Sequence, residues 1–301
     1  MRSLALLLFA LPLLAAIDDP VKTDGGSVSG VAGSSAGVRV YKGIPFAAPP
    51  VGDLRWKAPK AAPGWTGVRK ADQFGAACMQ TPYPENSPYY AAAEPVSEDC
   101  LYLNVWTAAK SPKDRRPVMI WIYGGALTRG SGSLPVYDGD NLAQKGVVVV
   151  TVNYRLGLFG FLAHPELTKE SDRNASGNYG FLDQIAGIEW VQKNIANFGG
   201  DPKRVTIFGE SAGSWSVNVL TASPLAKGLF QRAIGESGAE FAPLRTLDEA
   251  EQAGVRFAKS AGAESLTELR AKPPAELIQI GGAASGPVVD GWLLPKDVRS
   301  I

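Results

Sequence analysis

The sequence predicts an α/β fold: a mostly parallel central sheet flanked by helices, with an antiparallel hairpin near the N-terminus. Three observations carry this. Residues 117–123 and 147–153 are short apolar runs bounded by Pro, Gly or Asn. Continuous apolarity over so few residues suits strands covered on both faces. Further on, Leu182, Ile185, Ile188 and Val191 recur at helical spacing. A third apolar run, 204–208, then leads through a glycine-flanked turn into another helical segment. Alternating strands and helices favour parallel pairing with helices on both faces of the sheet.

In chain order, residues 28–40 alternate apolar and small polar positions around glycines and read as the hairpin. Residues 41–63 are rich in Pro and Gly and are expected to form an irregular surface segment. Residues 100–107 alternate as a strand, followed by the strands at 117–123 and 147–153. The helix over 181–195 stops at Phe198-Gly199-Gly200, where glycine can take the left-handed cap. Strand 204–208, helix 211–220 and a further strand at 232–236 follow. The remaining C-terminal stretch is expected to be mostly helical, broken at Pro273-Pro274.

The chain has 301 residues, more than an average domain, although α/β folds reach this size as one unit. Its formal net charge of +1 gives no electrostatic bias toward nucleic acid or an anionic membrane surface. Plentiful aromatic residues and the absence of polar low-complexity tracts argue against disorder. Arg2, an apolar run over 4–14 and Ala15-Ala16 read as an export signal covering residues 1–16. That run is too short to span a bilayer comfortably, and no later stretch is long and apolar enough to be a membrane helix. A short anchor or a buried first helix is the alternative reading. The cysteines are Cys78 and Cys100. In the oxidising compartment that export implies they are expected to pair, closing a loop that stabilises the fold by roughly 3 kcal/mol. Asn174-Ala175-Ser176 fits a glycosylation sequon, which matters in a glycosylating eukaryote.

The chemistry centres on Gly209-Glu210-Ser211-Ala212-Gly213. A serine hydroxyl is a poor nucleophile at neutral pH; it needs exposure, an adjacent base, and donors for the oxyanion it creates. Flanking glycines let chain segments crowd together, so that a strained strand-to-helix turn presents the serine oxygen at the head of a helix. Ser211 is therefore the candidate nucleophile; a structural glycine-rich turn is the alternative. A second element, Trp121-Ile122-Tyr123-Gly124-Gly125-Ala126, ends a strand in small residues. The backbone of Gly124, Gly125 and Ala126, with the N–H of Ala212, is the candidate oxyanion hole. One such donor is worth roughly 3 kcal/mol in the barrier of other serine hydrolases.

These motifs resemble the type-B carboxylesterase and cholinesterase family of α/β-hydrolases. Phe198-Gly199-Gly200-Asp201-Pro202, continuing through Val205-Thr206-Ile207-Phe208 to Gly213, resembles the family's nucleophile signature. Ser97-Glu98-Asp99-Cys100-Leu101-Tyr102-Leu103-Asn104 resembles its second signature, and Asn153-Tyr154-Arg155-Leu156-Gly157 and Gly177-Asn178-Tyr179-Gly180 also fit. The likeness runs from near Val28 to the end, so residues 17–301 are expected to form one α/β-hydrolase domain. It implies that Ser211 attacks an ester carbonyl, that Gly125, Ala126 and Ala212 donate to the oxyanion with Gly124 shaping the turn, and that Cys78 pairs with Cys100. It implies that Ser237 supports the acidic member of the triad and that Glu210 lends electrostatic support. Two positions depart from the family pattern: Ala126 stands where a third glycine is frequent, and Ser214 replaces a common glycine.

A base is missing. His164 is the single histidine, and in α/β-hydrolases the order is Ser, then Asp or Glu, then His. His164 precedes Ser211 and lies next to Pro165, where it resembles a structural histidine of the family. The triad acid and histidine are therefore expected beyond Ile301, in a C-terminal part missing from this chain. Three functional readings follow. The first is a secreted carboxylesterase acting on small-molecule carboxylic esters, of which this chain supplies the N-terminal part. The second is a non-catalytic, cholinesterase-like binding or adhesion domain; such members commonly lose the nucleophile, whereas this chain keeps it. The third is a complete enzyme using His164 or a lysine as base. No metal or organic cofactor is implied, since there is no His/Cys ligand cluster and no phosphate-binding glycine loop. Tyr123, Phe159 and Trp215 could line a pocket, though aromatics so placed are more often core. The substrate and the oligomeric state are not legible.

Overall fold

Seven strands make the central sheet: β1 (Val31–Ala32), β2 (Arg39–Pro45), β3 (Tyr102–Thr107), β4 (Arg116–Ile122), β5 (Val148–Val152), β6 (Gly200–Glu210) and β7 (Arg232–Glu236). Their order across the sheet is β7-β6-β4-β5-β3-β2-β1. The structure, a computed structural model, describes residues 17–90, 94–239, 243–280 and 286–301. The expected export segment, 1–16, lies outside them. The first four strands in that order run parallel side by side, and β3, β2 and β1 join antiparallel.

The described residues include eight α-helices: α1 (Asp140–Gln144), α2 (Gly157–Phe161), α3 (Pro165–Glu170), α4 (Tyr179–Asn194), α5 (Ala212–Ala222), α6 (Leu247–Ser260), α7 (Leu266–Ala271) and α8 (Pro274–Ile280). Alternation along each strand assigns the two faces. Val105, Ile120 and Val150 align across neighbouring strands and enter the large core with α4 and α5. Trp106 and Val149, one residue out of phase, pack with Val40 beside Ala143 of α1. Both faces of β5 are thus covered, which is why residues 148–152 are apolar except for buried Thr151. Gly187 lets α4 settle onto the sheet: a methyl group there would stand 2.6 Å from Val152 Cγ1.

Two expectations need correcting. The hairpin does not begin at Val28. Residues Ser27–Ser29 pair with Val21–Lys22 and Val68–Lys70 in a separate small sheet, and the hairpin is β1 with β2. The segment after Tyr41 is not irregular at its start either, since β2 runs to Pro45 with Tyr41 and Ile44 fully buried. Pairing with β3 is interrupted between Tyr41 and Ile44, at Gly43. Gly43 has φ 64° and approaches Gln73 so closely that a Cβ would lie 2.6 Å from its carbonyl oxygen. A bulge of this kind favours glycine inside a strand. Beyond it, residues up to 63 carry isolated pairing at Ala47 with Ala61 and a single 3-10 turn, Gly52–Leu54.

The C-terminal region docks through polar contacts as well as apolar ones. Arg245–Thr246 pairs in parallel with Val288–Val289, forming a two-stranded sheet apart from the central one. Thr246 and Glu249 form a reciprocal capping box at the start of α6. Arg55 grips Glu98 with both forks and donates at 2.8 Å to the carbonyls of Arg270 and Lys272, tying α7 to the N-terminal half. Deeper inside, Arg155 holds Asp183 in a bidentate pair at 2.7 Å. Burial pushes the Asp183 carboxyl up from the ordinary carboxylate range, and the guanidinium opposes that rise. No helix among the described residues is long and apolar enough to cross a membrane.

Candidate active site

Between β6 and α5 the chain turns through Ser211, whose backbone sits at φ 54°, ψ −122°. Non-glycine residues rarely adopt such a conformation, and it persists where the surroundings over-determine it. The surroundings are the two flanking glycines. At Gly213 a Cβ would lie 2.1 Å from the Ile122 carbonyl oxygen, and at Gly209 one would lie 2.6 Å from the carbonyls of both Gly213 and Ile122. The elbow closes because neither residue has a side chain. The Ser211 N–H donates to the Glu236 carbonyl at 2.9 Å, extending the β6–β7 ladder by one step.

Ser211 occupies the N-cap of α5, where a serine oxygen usually accepts from the first turn. Here its side chain makes no cap hydrogen bond. The hydroxyl is held at the positive end of an 11-residue helix and left free to react. Ser211 is half-buried, and Ala212 behind it is fully buried.

The end of β4 lies alongside. A Cβ on Gly124 would come 3.1 Å from Ser211 Cβ and 2.6 Å from the Glu210 carbonyl oxygen. The chain then runs through three consecutive residues with positive φ: Gly125 at 99°, Ala126 at 56° and Leu127 at 58°. For Ala126 and Leu127 this costs strain energy. The turn is pinned by Thr128 and Arg129, whose N–H groups donate to the Gly125 carbonyl, and by Gly157 N–H donating to Leu127 O at 2.7 Å. Gly124, Gly125, Ala126 and Ala212, named together from the sequence, thus belong to two turns that meet at Ser211.

Ser237 follows β7 with φ 55° and is exposed. Its neighbour Gly238 packs on the elbow, where a Cβ would lie 2.5 Å from the Ser211 carbonyl oxygen. Ser214, the departure from a common glycine, donates its hydroxyl to the Gly238 carbonyl at 2.5 Å and so fastens α5 to this segment. Glu210 closes β6 half-buried, its carboxylate 3.3 Å from the point a Gly124 Cβ would occupy.

His164 is engaged elsewhere. It caps α3, accepting from the Glu166 N–H through Nδ1 at 3.2 Å, while its backbone N–H donates to Ser176 Oγ. Burial lowers its pKa below the ordinary value, against the opposing pull of Glu166 and Glu251. A cap acceptor must be neutral at that nitrogen, so this role and service as the base for Ser211 compete. Tyr123 and Phe159 belong to the core, Tyr123 stacked on Tyr154 at 4.5 Å, and Trp215 packs half-buried against it.

The profile of the carboxylesterase family matches residues 18–300. The chain belongs to the carboxylesterase family. It is 46% identical to a fumonisin B1 esterase of Sphingopyxis macrogoltabida over 300 residues, covering 95% of this chain and 54% of that protein. It is 51% identical to a para-nitrobenzyl esterase of Bacillus subtilis over 220 residues, covering 73% and 43%. Among solved structures it is similar to a Geobacillus stearothermophilus carboxylesterase, at 43% identity and a TM-score of 0.82, with 93% of this chain and 58% of that one covered. With this α/β-hydrolase fold, the chain spans about half the length of the relatives it matches.

Within this carboxylesterase-family chain, Cys78 and Cys100 form the expected disulfide, with Cα atoms 4.9 Å apart, and around it lie residues that sequence reasoning missed. The loop it closes is clamped to the site by Gln80, which donates to Gly130 O and accepts from Gly130 N, both at 2.7 Å. The same loop delivers Tyr83, whose hydroxyl would lie 2.7 Å from a Cβ on Gly125. From Tyr83 a chain of rings runs through Tyr89, Tyr137 and Trp121 to Phe208 on the sheet, with successive centroids 4.8–6.4 Å apart. The bracketing cysteines were the one sequence signal for this loop; its contacts with residues 125–130 span too much chain for any local pattern to encode.

Proposed function

We propose that this chain carries the nucleophile and oxyanion hole of an exported serine esterase that hydrolyses carboxylic esters. The observation that carries the reading is Ser211: a strained elbow, a hydroxyl unspent on capping, and the Gly124–Ala126 turn against it. In the first step the Ser211 oxygen adds to the ester carbonyl and the tetrahedral oxyanion accepts from the N–H groups of Gly125, Ala126 and Ala212. Collapse expels the alcohol, and water then releases the acid from the acyl-serine. Backbone donors already held in place need no reorganisation as charge develops, and the α5 N-terminus adds to their field.

His164 is spent on capping α3, so this reading takes the proton acceptor and its acid from outside these 301 residues, with Ser237 and Glu210 supporting them. Family relatives about twice as long favour that arrangement. Export rests on the apolar run at 4–14 and agrees with the disulfide. The test is turnover of p-nitrophenyl butyrate by the whole protein. Ser211→Ala lowers kcat about 10⁴-fold or more, as removal of a triad nucleophile does in other serine hydrolases. Turnover that survives the substitution refutes the proposal.

A further inference from the structure

We propose that the site beside Ser211 takes esters bearing a second, free carboxylate, and that Arg129 is the residue that recognises it. The inference rests on the serine esterase reading above and adds the substrate's charge. Arg129 closes the turn that begins at Gly125: its N–H donates to the Gly125 carbonyl at 3.2 Å, and its own carbonyl oxygen would be 2.2 Å from a Cβ on Gly125. Its backbone is therefore part of the same rigid turn as the candidate oxyanion donors. Gln80, bonded twice to Gly130, fixes the next residue.

The guanidinium stacks over the Tyr83 ring, 5.4 Å from its centroid. Tyr83 in turn places its hydroxyl against Gly125, one residue from the glycine that abuts Ser211 Cβ. Burial pushes the Tyr83 phenol up from its ordinary value, and the Arg129 guanidinium stacked on its ring pulls it back. Arg129 is half-buried, and among the described residues its side chain has no ion pair and no hydrogen bond. By contrast, the buried or half-buried arginines Arg39, Arg55, Arg116, Arg155 and Arg270 each pair with a carboxylate.

A planar guanidinium with one face on an aromatic ring keeps its edge donors for a bidentate carboxylate. The guanidinium rests on Tyr83, whose hydroxyl reaches Gly125 rather than Ser211 itself, so a carboxylate held there lies several bonds from the scissile ester. Half-esters of short dicarboxylic acids have that form.

The experiment compares the whole protein on the mono-p-nitrophenyl ester of glutaric acid with p-nitrophenyl valerate, its neutral match in length. The wild type prefers the glutarate ester at low salt, and the preference shrinks as salt rises. Arg129→Gln lowers the ratio of the two kcat/KM values about tenfold or more, chiefly through KM for the anionic ester, while Arg129→Lys retains part of it. An unchanged ratio in Arg129→Gln, or a wild type that turns over the valerate ester with no anionic preference, overturns this inference alone. A protein that turns over neither ester overturns the esterase reading and this inference together.

Discussion

At Gly213 a single added methyl group would meet the Ile122 carbonyl 2.1 Å away, a backbone atom with no freedom to move aside. Overpacking a closed elbow of this kind costs about 2 kcal/mol or more. Gly213→Ala is therefore expected to lower the urea midpoint of the whole protein and to displace Ser211, losing ester turnover along with stability. A variant as stable as the wild type would contradict the packing account. Gly209, Ser211 and Gly213 were legible from the sequence because a strained turn demands small residues at fixed spacing. Tyr83 and Gln80 were not, since their relation to residues 125–130 depends on the disulfide loop lying against the end of β4, and Arg129 was not, since its side chain meets the site through Tyr83. Ser214 shows the converse: as a sequence it reads as a departure, and as a structure it is a hydroxyl bonded to the Gly238 carbonyl.

Among the elements, short α3 depends on its cap. His164 accepts from the Glu166 N–H and is held neutral by burial, which lowers its pKa from an ordinary value of 6.5. With the folded pKa depressed, the stability it contributes is complete above about pH 6.5 and is lost as the pH falls below that value. Asp183 and Asp290 have raised pKa values and act in the opposite sense, stabilising on acidification. His164→Asn keeps a cap acceptor and removes the titration. Its Tm is expected to fall less than the wild type's between pH 7 and pH 5, as followed by circular dichroism; identical pH profiles would refute the cap assignment. The apolar runs and helical spacing place β4, β5 and α4 within two residues of their observed bounds, whereas β6 extends the expected 204–208 to Gly200–Glu210. β2 was misjudged because Gly43 and Pro45 carry the composition of a loop. The bulge at Gly43 and the paired edge that follows it are set by the neighbouring strand β3, which local composition does not report.

On the scale of the whole molecule, one disulfide and one open sheet edge stand out. Cys78–Cys100 closes a loop of 22 residues in sequence separation and carries the aromatic ladder against the site. Its reduction is expected to cost roughly 3 kcal/mol and to weaken ester turnover, because Tyr83 and Gln80 lose their anchor; unchanged stability after confirmed reduction would contradict this. At the β7 edge of the sheet every strand residue is exposed, Ile234 at 43%. Such an edge is open to further strand pairing. The most direct measurement is covalent labelling of the whole protein with a fluorophosphonate, followed by peptide mass mapping. The account predicts one adduct, on Ser211, and none in Ser211→Ala; an unlabelled Ser211, or labelling that persists in the variant, would contradict it.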